Sequence, residues 1–443
     1  MISNSTLLQR SLDAVWHPCT QMKQHAATVE ALPLIPVARG EGVWLYDFDG
    51  RRYLDGISSW WVNLFGHCHP RINAALRAQL DELEHVILAG FTHRPVVELS
   101  ERLSALTDGA LGHCFYASDG ASATEIALKM SFHSWQNRGC RDKQEFLCLA
   151  GSYHGETVGA LAVTDVALFK DAYAPLIRPA TTVPTPDARL AAAGESPAAV
   201  ARRAATALES HLQRHHRRIA ALIVEPLIQC ASGMAMYDPE YLRLARELCD
   251  RYQLHLICDE IAVGCGRTGT FFAHEQAAIR PDFLCLSKGI SGGYLPLSIV
   301  MTTAAVYDDF YHESTSRGFL HSHSYTGNAL ACRAALATLD IFADEQVIEN
   351  NRLLAAHLGD CLQPLSAHPR VSHLRQRGMI AAFDVNSDDP QFPQRFYRAA
   401  LAREILLRPI GNTIYFMPPY VISRDECEFL VARAAAALDA ALG

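Results

Sequence analysis

Short apolar runs alternate with amphipathic helical segments between about residue 65 and residue 330 of the chain. The runs are bounded by turn-forming residues and predict buried strands. They lie at 113–117, 145–150, 219–224, 254–258 and 283–286. Segments such as 123–130 and 239–252 have the pattern of helices. This order predicts an α/β fold with a mostly parallel, doubly wound sheet.

The pattern changes on either side of this region. Residues 1–62 combine prolines with short strand-like pieces and read as an arm and part of a small domain. Residues 334–443 are mainly helical, with strands expected near 379–385 and 414–417. We therefore predict a large domain over 63–333 and a small α+β domain built from both termini.

Composition excludes several classes of protein. The chain has 443 residues, 49% of them hydrophobic, and a formal charge of −8, which disfavours general nucleic-acid binding. It has neither a signal-peptide core nor a run of about 20 apolar residues, so we expect a cytoplasmic protein without a membrane partner. The 13 cysteines are scattered and odd in number, which indicates neither a disulfide framework nor a zinc site.

A lysine and an aspartate follow two of the predicted strands. Lys288 comes after the run 283–286, and Asp259 ends the run that begins at 254. A ligand crevice in an open α/β sheet lies at the carboxyl ends of the strands, so both groups are expected in one site. Pyridoxal phosphate requires this pair, with a lysine for its aldehyde and a carboxylate for its ring nitrogen. Taken alone, the run at 283–286 favours reading Lys288 as a lysine that extends to solvent from a strand end.

Two further segments could complete such a site. The turn 118–122 leads from a strand into a helix, whose free N–H groups suit a phosphate, with Gly120 allowing close approach. Tyr153 follows another strand and could stack on a planar ring, although packing is the alternative. Glu225 is a third acid at a strand end.

Ordered motifs then resemble a known family. They are the DE-x-x-x-G-x-G-R-T-G pattern at 259–269, the Ser287-Lys288 pair, GSYHGET at 151–157 and HSHSYTGNALAC at 321–332. Together they resemble the class III aminotransferases among the fold type I pyridoxal phosphate enzymes, and the resemblance covers nearly the whole chain. It implies a homodimer with shared active sites.

The resemblance also implies roles for individual residues. Lys288 would form a Schiff base with pyridoxal 5'-phosphate and move a proton, Asp259 would contact the pyridine nitrogen, and Tyr153 would lie against the ring. The remaining cofactor contacts would be to the phosphate. They come from the backbone of Gly120 and Ala121, and from His323 and Ser324 of a neighbouring subunit.

A second group of motifs is similar to the biotin-pathway members of this family. It comprises Trp16-His17-Pro18, Trp60-Trp61 and LLRPIGNTIYFMPPY at 406–420. The similarity implies amination of 7-keto-8-aminopelargonate to 7,8-diaminopelargonate, with S-adenosylmethionine as donor and lysine as the alternative donor. The implied substrate contacts are Trp60, Tyr153, Lys288, the main chain near Ser322, Arg408 and the position of Cys19.

Three positions depart from the family pattern. Cys19 stands where a tyrosine is frequent, Ala121 replaces a serine, and Ser322 replaces a glycine. The amino donor therefore stays open.

Other interpretations use fewer of these residues. The G-x-S-x-G pattern at 289–293 could form the elbow of a serine hydrolase with Ser291, but a helix should then follow, and Gly292, Gly293 and Pro296 disfavour one. The adjacent residues 67–69 (HCH) cannot readily converge on one metal ion. A non-enzymatic binding module is a further alternative, but it gives no chemical reason for the presence of both Lys288 and Asp259.

Overall fold

A computed structural model describes residues 3–25 and 31–443, so parts of the predicted arm lie outside the described residues. The chain forms two compact units, one from the segments Met1–Pro70 and Leu353–Gly443 and one from Arg71–Arg352. The domain limits at 62/63 and 333/334 stay predictions.

The strands are β1 (Val37–Glu41), β2 (Trp44–Asp47), β3 (Arg52–Asp55), β4 (His113–Ala117), β5 (Glu145–Leu149), β6 (Thr181–Val183), β7 (Ile219–Val224), β8 (Ile228–Gln229), β9 (Ala235–Met236), β10 (His255–Asp259), β11 (Phe283–Leu286), β12 (Ser298–Thr302), β13 (Val371–Arg377), β14 (Ile380–Val385), β15 (Ile405–Leu406) and β16 (Thr413–Phe416). The helical segments are α1 (Asn4–Ala14), α2 (Ser58–Trp61), α3 (Pro70–Glu82), α4 (Arg94–Leu106), α5 (Gly120–Asn137), α6 (Val158–Ala162), α7 (Ala167–Lys170), α8 (Pro197–His215), α9 (Glu240–Tyr252), α10 (Ala304–Asp308), α11 (Ala329–Asp344), α12 (Val347–Leu362), α13 (Phe392–Leu401) and α14 (Arg424–Leu442).

A seven-stranded sheet organises the unit 71–352. Its order is β4-β12-β11-β10-β7-β5-β6. β12 runs antiparallel to both of its neighbours, whereas the pairs from β11 to β6 are parallel. The predicted mostly parallel sheet is confirmed, and all five strands predicted from apolar runs belong to it.

Helix α5 covers one side of this sheet. Ile126 and Met130 of the helix pack with Ile223, Ile257 and Phe283 in one hydrophobic cluster. Strands β7, β10 and β11 are buried along their whole length. Such strands are covered on both faces, which explains why they read as continuous apolar runs rather than as alternating ones.

The other unit combines both ends of the chain. It holds the four-stranded sheet β1-β2-β3-β15 and the three-stranded sheet β13-β14-β16. β15 is parallel to β3, so a segment from the C-terminal part completes a sheet that begins near the N-terminus. In α14, Ser423 and Glu426 form a reciprocal capping box, which satisfies N–H groups at the start of the helix.

Within the described ranges, no helix is long and apolar enough to cross a bilayer. All 13 cysteines are free thiols.

Lys143 is a buried lysine at the amino end of the parallel sheet. Its Nζ donates to the carbonyl oxygens of His216 (3.2 Å) and Ile219 (2.9 Å) and lies 4.6 Å from the centroid of the Trp135 ring. Burial lowers the pKa of Lys143 to about 8, because the protonated amine is poorly solvated there.

This lysine should make stability depend on pH. In the unfolded chain its pKa returns to about 10.4, so between pH 8 and pH 10 the unfolded state binds more protons than the folded state. The free energy of unfolding should therefore rise with pH in this window, by up to about 1.4 kcal/mol per pH unit from this group. Lys143→Met should lack that increment in urea unfolding at pH 7.5 and pH 9.5. The same pH dependence in both proteins would contradict the expectation.

Candidate active site

Lys288 and Asp259 lie at the same edge of the parallel sheet. β10 and β11 are adjacent, and their register pairs Asp259 with Cys285. Lys288 follows β11 and begins a tight turn, with a φ of 46°. This left-handed conformation is uncommon for a lysine, and such backbone conformations cluster at active sites. The structure therefore brings together the two groups that the sequence placed at strand ends.

The carboxylate of Asp259 is held by two donors. Its Oδ2 lies 2.7 Å from Nδ1 of His154, and its Oδ1 accepts from the backbone N–H of Ile261 at 3.0 Å. The side chain of His154 is fully buried, and its Nε2 has no hydrogen-bond partner in the part of the chain described here. The imidazole therefore orients the carboxylate and provides it with a donor away from bulk water.

Glu225 is a second buried acid beside this pair. It follows β7, the neighbour of β10, and the backbone N–H of Tyr153 donates to its Oε1 at 3.4 Å. Burial raises the pKa of Glu225 well above its usual range, and the negative charge of Asp259 adds to this effect. The buried surroundings therefore favour the uncharged form of this carboxyl group.

Burial also lowers the pKa of Lys288, while Cys230, Asp259 and Glu225 oppose the shift. Because desolvation is the largest cause, a neutral amine is easier to form here than on a surface lysine.

Tyr153 follows β5 in the loop that carries His154. Its ring is partly buried and meets Phe169 edge to face at 5.3 Å, and its hydroxyl donates to Oε1 of Glu156 at 2.8 Å. The loop is attached to α5, since Oγ1 of Thr124 donates to the carbonyl of His154 at 2.9 Å.

The predicted phosphate turn is the start of α5. Asp119 caps the helix by accepting from the N–H of Ser122 at 2.9 Å. A Cβ on Gly120 would lie 2.9 Å from Cγ2 of Ile261, two residues beyond Asp259. Only glycine permits this approach without a shift, so the helix start packs directly against the end of β10.

The segment 321–324 has a different set of contacts. His321 lies 2.8 Å from Nζ of Lys129 and 3.2 Å from the ring of His323, and the carbonyl of Ser324 lies 2.9 Å from His85. The side chains of Ser322 and Ser324 are exposed.

The substrate candidates of the other unit form their own cluster. Nη2 of Arg408 donates to the main-chain carbonyl of Cys19 at 3.1 Å. The guanidinium carbon of Arg408 lies 5.1 Å from the centroid of the Trp60 ring. Cys19, Trp60 and Arg408 are thus neighbours, although they are far apart in sequence.

The competing interpretations lack support in the structure. Ser291 is buried, its Oγ donates to the carbonyl of Leu295 at 2.6 Å, and the next element is β12 rather than a helix. Among the described residues, no group of three or more His, Cys, Asp or Glu side chains is arranged to hold a metal. His67 instead bonds to Asp55 at 3.1 Å.

Comparison with known proteins decides the family. Residues 25–438 match the family described as aminotransferase class-III. The chain belongs to this family. It is 47% identical to the adenosylmethionine-8-amino-7-oxononanoate aminotransferase of Helicobacter pylori, over 97% of this chain and 96% of that protein.

Solved structures show the same fold over the whole length. The enzyme of that same name from Methanocaldococcus jannaschii has a TM-score of 0.91 and 33% identity, covering 98% of this chain and 99% of that one. An amine transaminase from an uncultivated Pseudomonas species, solved in its PLP-bound form, has a TM-score of 0.90 and 32% identity, covering 96% and 98%. The predicted family, fold class and enzyme class are confirmed.

The sequence does not predict the contact between His154 and Asp259, and it identifies Glu225 only as an acid at a strand end. The signal for His154 was its place in GSYHGET, one residue after Tyr153.

The two acids should respond differently to loss of charge. Asp259→Asn should slow the donor half-reaction by about 100-fold or more, because an amide cannot stabilise a proton on a pyridine nitrogen. Glu225→Gln should stay within about threefold of the original rate, because burial raises the pKa of Glu225 and so disfavours the charge that the substitution removes. Single-turnover absorbance measurements on the matched pair test this. A large loss in Glu225→Gln would show that its ionised form is required.

Proposed function

We propose that this protein is a pyridoxal phosphate-dependent aminotransferase of biotin biosynthesis. It converts 8-amino-7-oxononanoate, also called 7-keto-8-aminopelargonate, to 7,8-diaminopelargonate, and S-adenosylmethionine is the amino donor. The observation that carries the chemistry is the adjacent placement of Lys288 and Asp259 at the ends of paired parallel strands. The names of its relatives support the substrate.

The residues present fit pyridoxal phosphate. Lys288 would hold its aldehyde, Asp259 its ring nitrogen, and the start of α5 its phosphate, where Gly120 leaves no room for a Cβ. When bound, the cofactor supplies an electron sink for the carbon that carries the amino group.

The protein's own groups would then move and hold protons. The lowered pKa of Lys288 makes its free amine available to take a proton at Nζ and return it to a neighbouring carbon. His154 and the N–H of Ile261 fix Asp259, so that its charge stays beside the ring nitrogen without a costly side-chain rearrangement.

Arg408 would bind the acceptor's carboxylate. A planar guanidinium reads a carboxylate with two parallel hydrogen bonds, and Trp60 supports one of its faces. The contact with position 19 is made by a main-chain carbonyl. The replacement of a tyrosine by Cys19 therefore does not remove this contact.

A donor panel tests the proposed reaction. The purified protein with pyridoxal phosphate should aminate 8-amino-7-oxononanoate with S-adenosylmethionine, while lysine and simple ω-amines are compared at equal concentrations. The preparation should be yellow, and borohydride should attach the cofactor to the peptide that contains Lys288. Lys288→Ala should lose turnover. Turnover of ω-amines without any amination of this acceptor would instead indicate a general ω-transaminase.

The role of Arg408 predicts a selective kinetic effect. Arg408→Ala should raise the acceptor KM by about 10- to 150-fold, the equivalent of losing a charge-assisted contact of about 1.5–3 kcal/mol. Arg408→Lys should recover only part of this loss, because an ammonium lacks the planar fork. Arg433, whose guanidinium carbon lies 5.0 Å from the Phe429 ring, offers a matched control, and Arg433→Ala should leave KM unchanged. An unaltered KM in Arg408→Ala would place the carboxylate elsewhere.

The active enzyme in this proposal is a homodimer with shared sites. The exposed side chain of Ser324, whose segment contacts Lys129 and His85, supports a role toward a second subunit's phosphate. Lys288→Ala and Ser324→Asp chains should each be inactive. After mixing and reassembly, random pairing should restore up to about a quarter of the original activity through hybrid sites. A fully active monomer in sedimentation would contradict the shared site.

A further inference from the structure

Segment α2 is a left-handed turn rather than an ordinary helix. The φ angles of Ser58, Ser59, Trp60 and Trp61 are 50°, 46°, 70° and 74°. The left-handed region is disfavoured for L-residues, and four consecutive examples without a glycine require support from their surroundings.

The two ends of the turn are attached to the strand β16 and the residue that follows it. Oγ of Ser58 donates to the carbonyl of Met417 at 2.7 Å, and Nε1 of Trp61 donates to the hydroxyl of Tyr415 at 3.1 Å. These contacts hold the buried residues of the turn. They do not hold its exposed middle.

Asp55 supports the middle of the turn. Its side chain is fully buried and accepts from the backbone N–H of Ser59 at 2.9 Å and from Oγ of Ser59 at 2.7 Å. The N–H of Ile57 donates to the same carboxylate at 3.4 Å. One carboxylate thus fixes the residue that precedes Trp60.

His67 in turn holds Asp55. Its Nε2 lies 3.1 Å from Oδ2 of Asp55, and its Nδ1 lies 3.2 Å from the amide nitrogen of Asn63. Because the Asn63 amide can only donate to Nδ1, the hydrogen-bond network assigns the ring proton to Nε2, where it is donated to Asp55.

The position of His67 is itself constrained. Its N–H donates to the carbonyl of Gly42 at 2.7 Å, and its own carbonyl accepts from Gly42 at 3.2 Å. A Cβ on Gly40 would lie 2.6 Å from Cβ of His67. The imidazole is therefore packed against the β1–β2 hairpin and gives Asp55 a rigid donor.

The same aspartate is in register with the arginine segment. Asp55 ends β3 and pairs with Leu406 of β15, two residues before Arg408. Trp60 is 42% exposed and has the guanidinium of Arg408 over its ring. The relative placement of Trp60 and Arg408 thus depends on the strand pairing and on the supported turn.

We propose that Asp55 and His67 are positioning residues for acceptor recognition. They hold the left-handed turn that places Trp60 beside Arg408, and they do so without touching the acceptor. The inference rests on the proposed function, since it takes Trp60 and Arg408 as the acceptor-binding pair. A merely structural Asp55–His67 pair would affect unfolding but would leave Trp60 in place.

The experiment therefore observes Trp60 directly. Protein labelled with 5-fluorotryptophan has five fluorine signals, one for each tryptophan. Trp60→Phe identifies the signal of residue 60, and the difference in its shift between H₂O and D₂O reports its exposure.

Two substitutions of His67 separate the hydrogen bond from the shape of the ring. His67→Phe keeps a planar ring but removes the donor to Asp55. His67→Gln removes the ring but places an amide N–H donor near the position of Nε2. His373 is a matched control, because its Nδ1 lies 3.1 Å from Oδ2 of Asp384 in the same unit.

His67→Phe and Asp55→Asn should change the linewidth and solvent shift of the Trp60 signal. They should also raise the acceptor KM about five- to tenfold, as expected for the loss of one buried hydrogen bond, with kcat within about twofold. His67→Gln should restore most of both properties, and His373→Phe should alter neither.

An unchanged Trp60 signal in His67→Phe would overturn the inference, and so would a changed signal with an unaltered acceptor KM. If even the original protein fails to aminate 8-amino-7-oxononanoate, the proposed function and the recognition role both fail, while the Trp60 signal still tests whether the pair positions the turn.

Discussion

The parallel pairing of β10 with β11 is the constraint on which the site depends. Its register sets Asp259 beside Cys285, so the lysine that follows β11 must emerge at the same edge as the aspartate. A slip of one residue would turn every side chain of the strand to the opposite face. Complete burial of both strands makes such a slip costly, and the core thus specifies the chemistry at its edge.

The electrostatics of the site follow from burial, because charged side chains at this edge of the sheet are poorly solvated. Glu225, Asp259 and Lys288 share one poorly solvated region, and both Glu225 and Lys288 have pKa values shifted toward their neutral forms. The carboxylate of Asp259 has two hydrogen-bond partners, the imidazole of His154 and the N–H of Ile261. Local hydrogen bonding, rather than sequence position, therefore distinguishes the surroundings of the two acids.

The sequence predicted the buried strands from their apolar runs and the two central site residues from their positions at strand ends. The five predicted strands of the large sheet were found because each contains a continuous run of apolar residues. Lys288 and Asp259 were found because each ends or follows such a run. β15 has only two residues, too few for a periodic signal. His154 could not be assigned to Asp259, since 105 positions separate them and only the folded sheet brings them together.

The sequence did not predict the segments in which non-glycine residues adopt the left-handed backbone conformation. Turn prediction relies on glycine and asparagine as the residues that tolerate positive φ. Ser58 to Trp61 contain neither, and Lys288, with a φ of 46°, offers no such signal itself. Such conformations persist only where surrounding contacts over-determine them. Around Trp60 those contacts come from Asp55, which is held by His67, and from β16 through Ser58 and Trp61. The conformation of this turn therefore depends on residues that are distant in sequence, and it could be predicted only with knowledge of the hydrogen bonds in the folded protein.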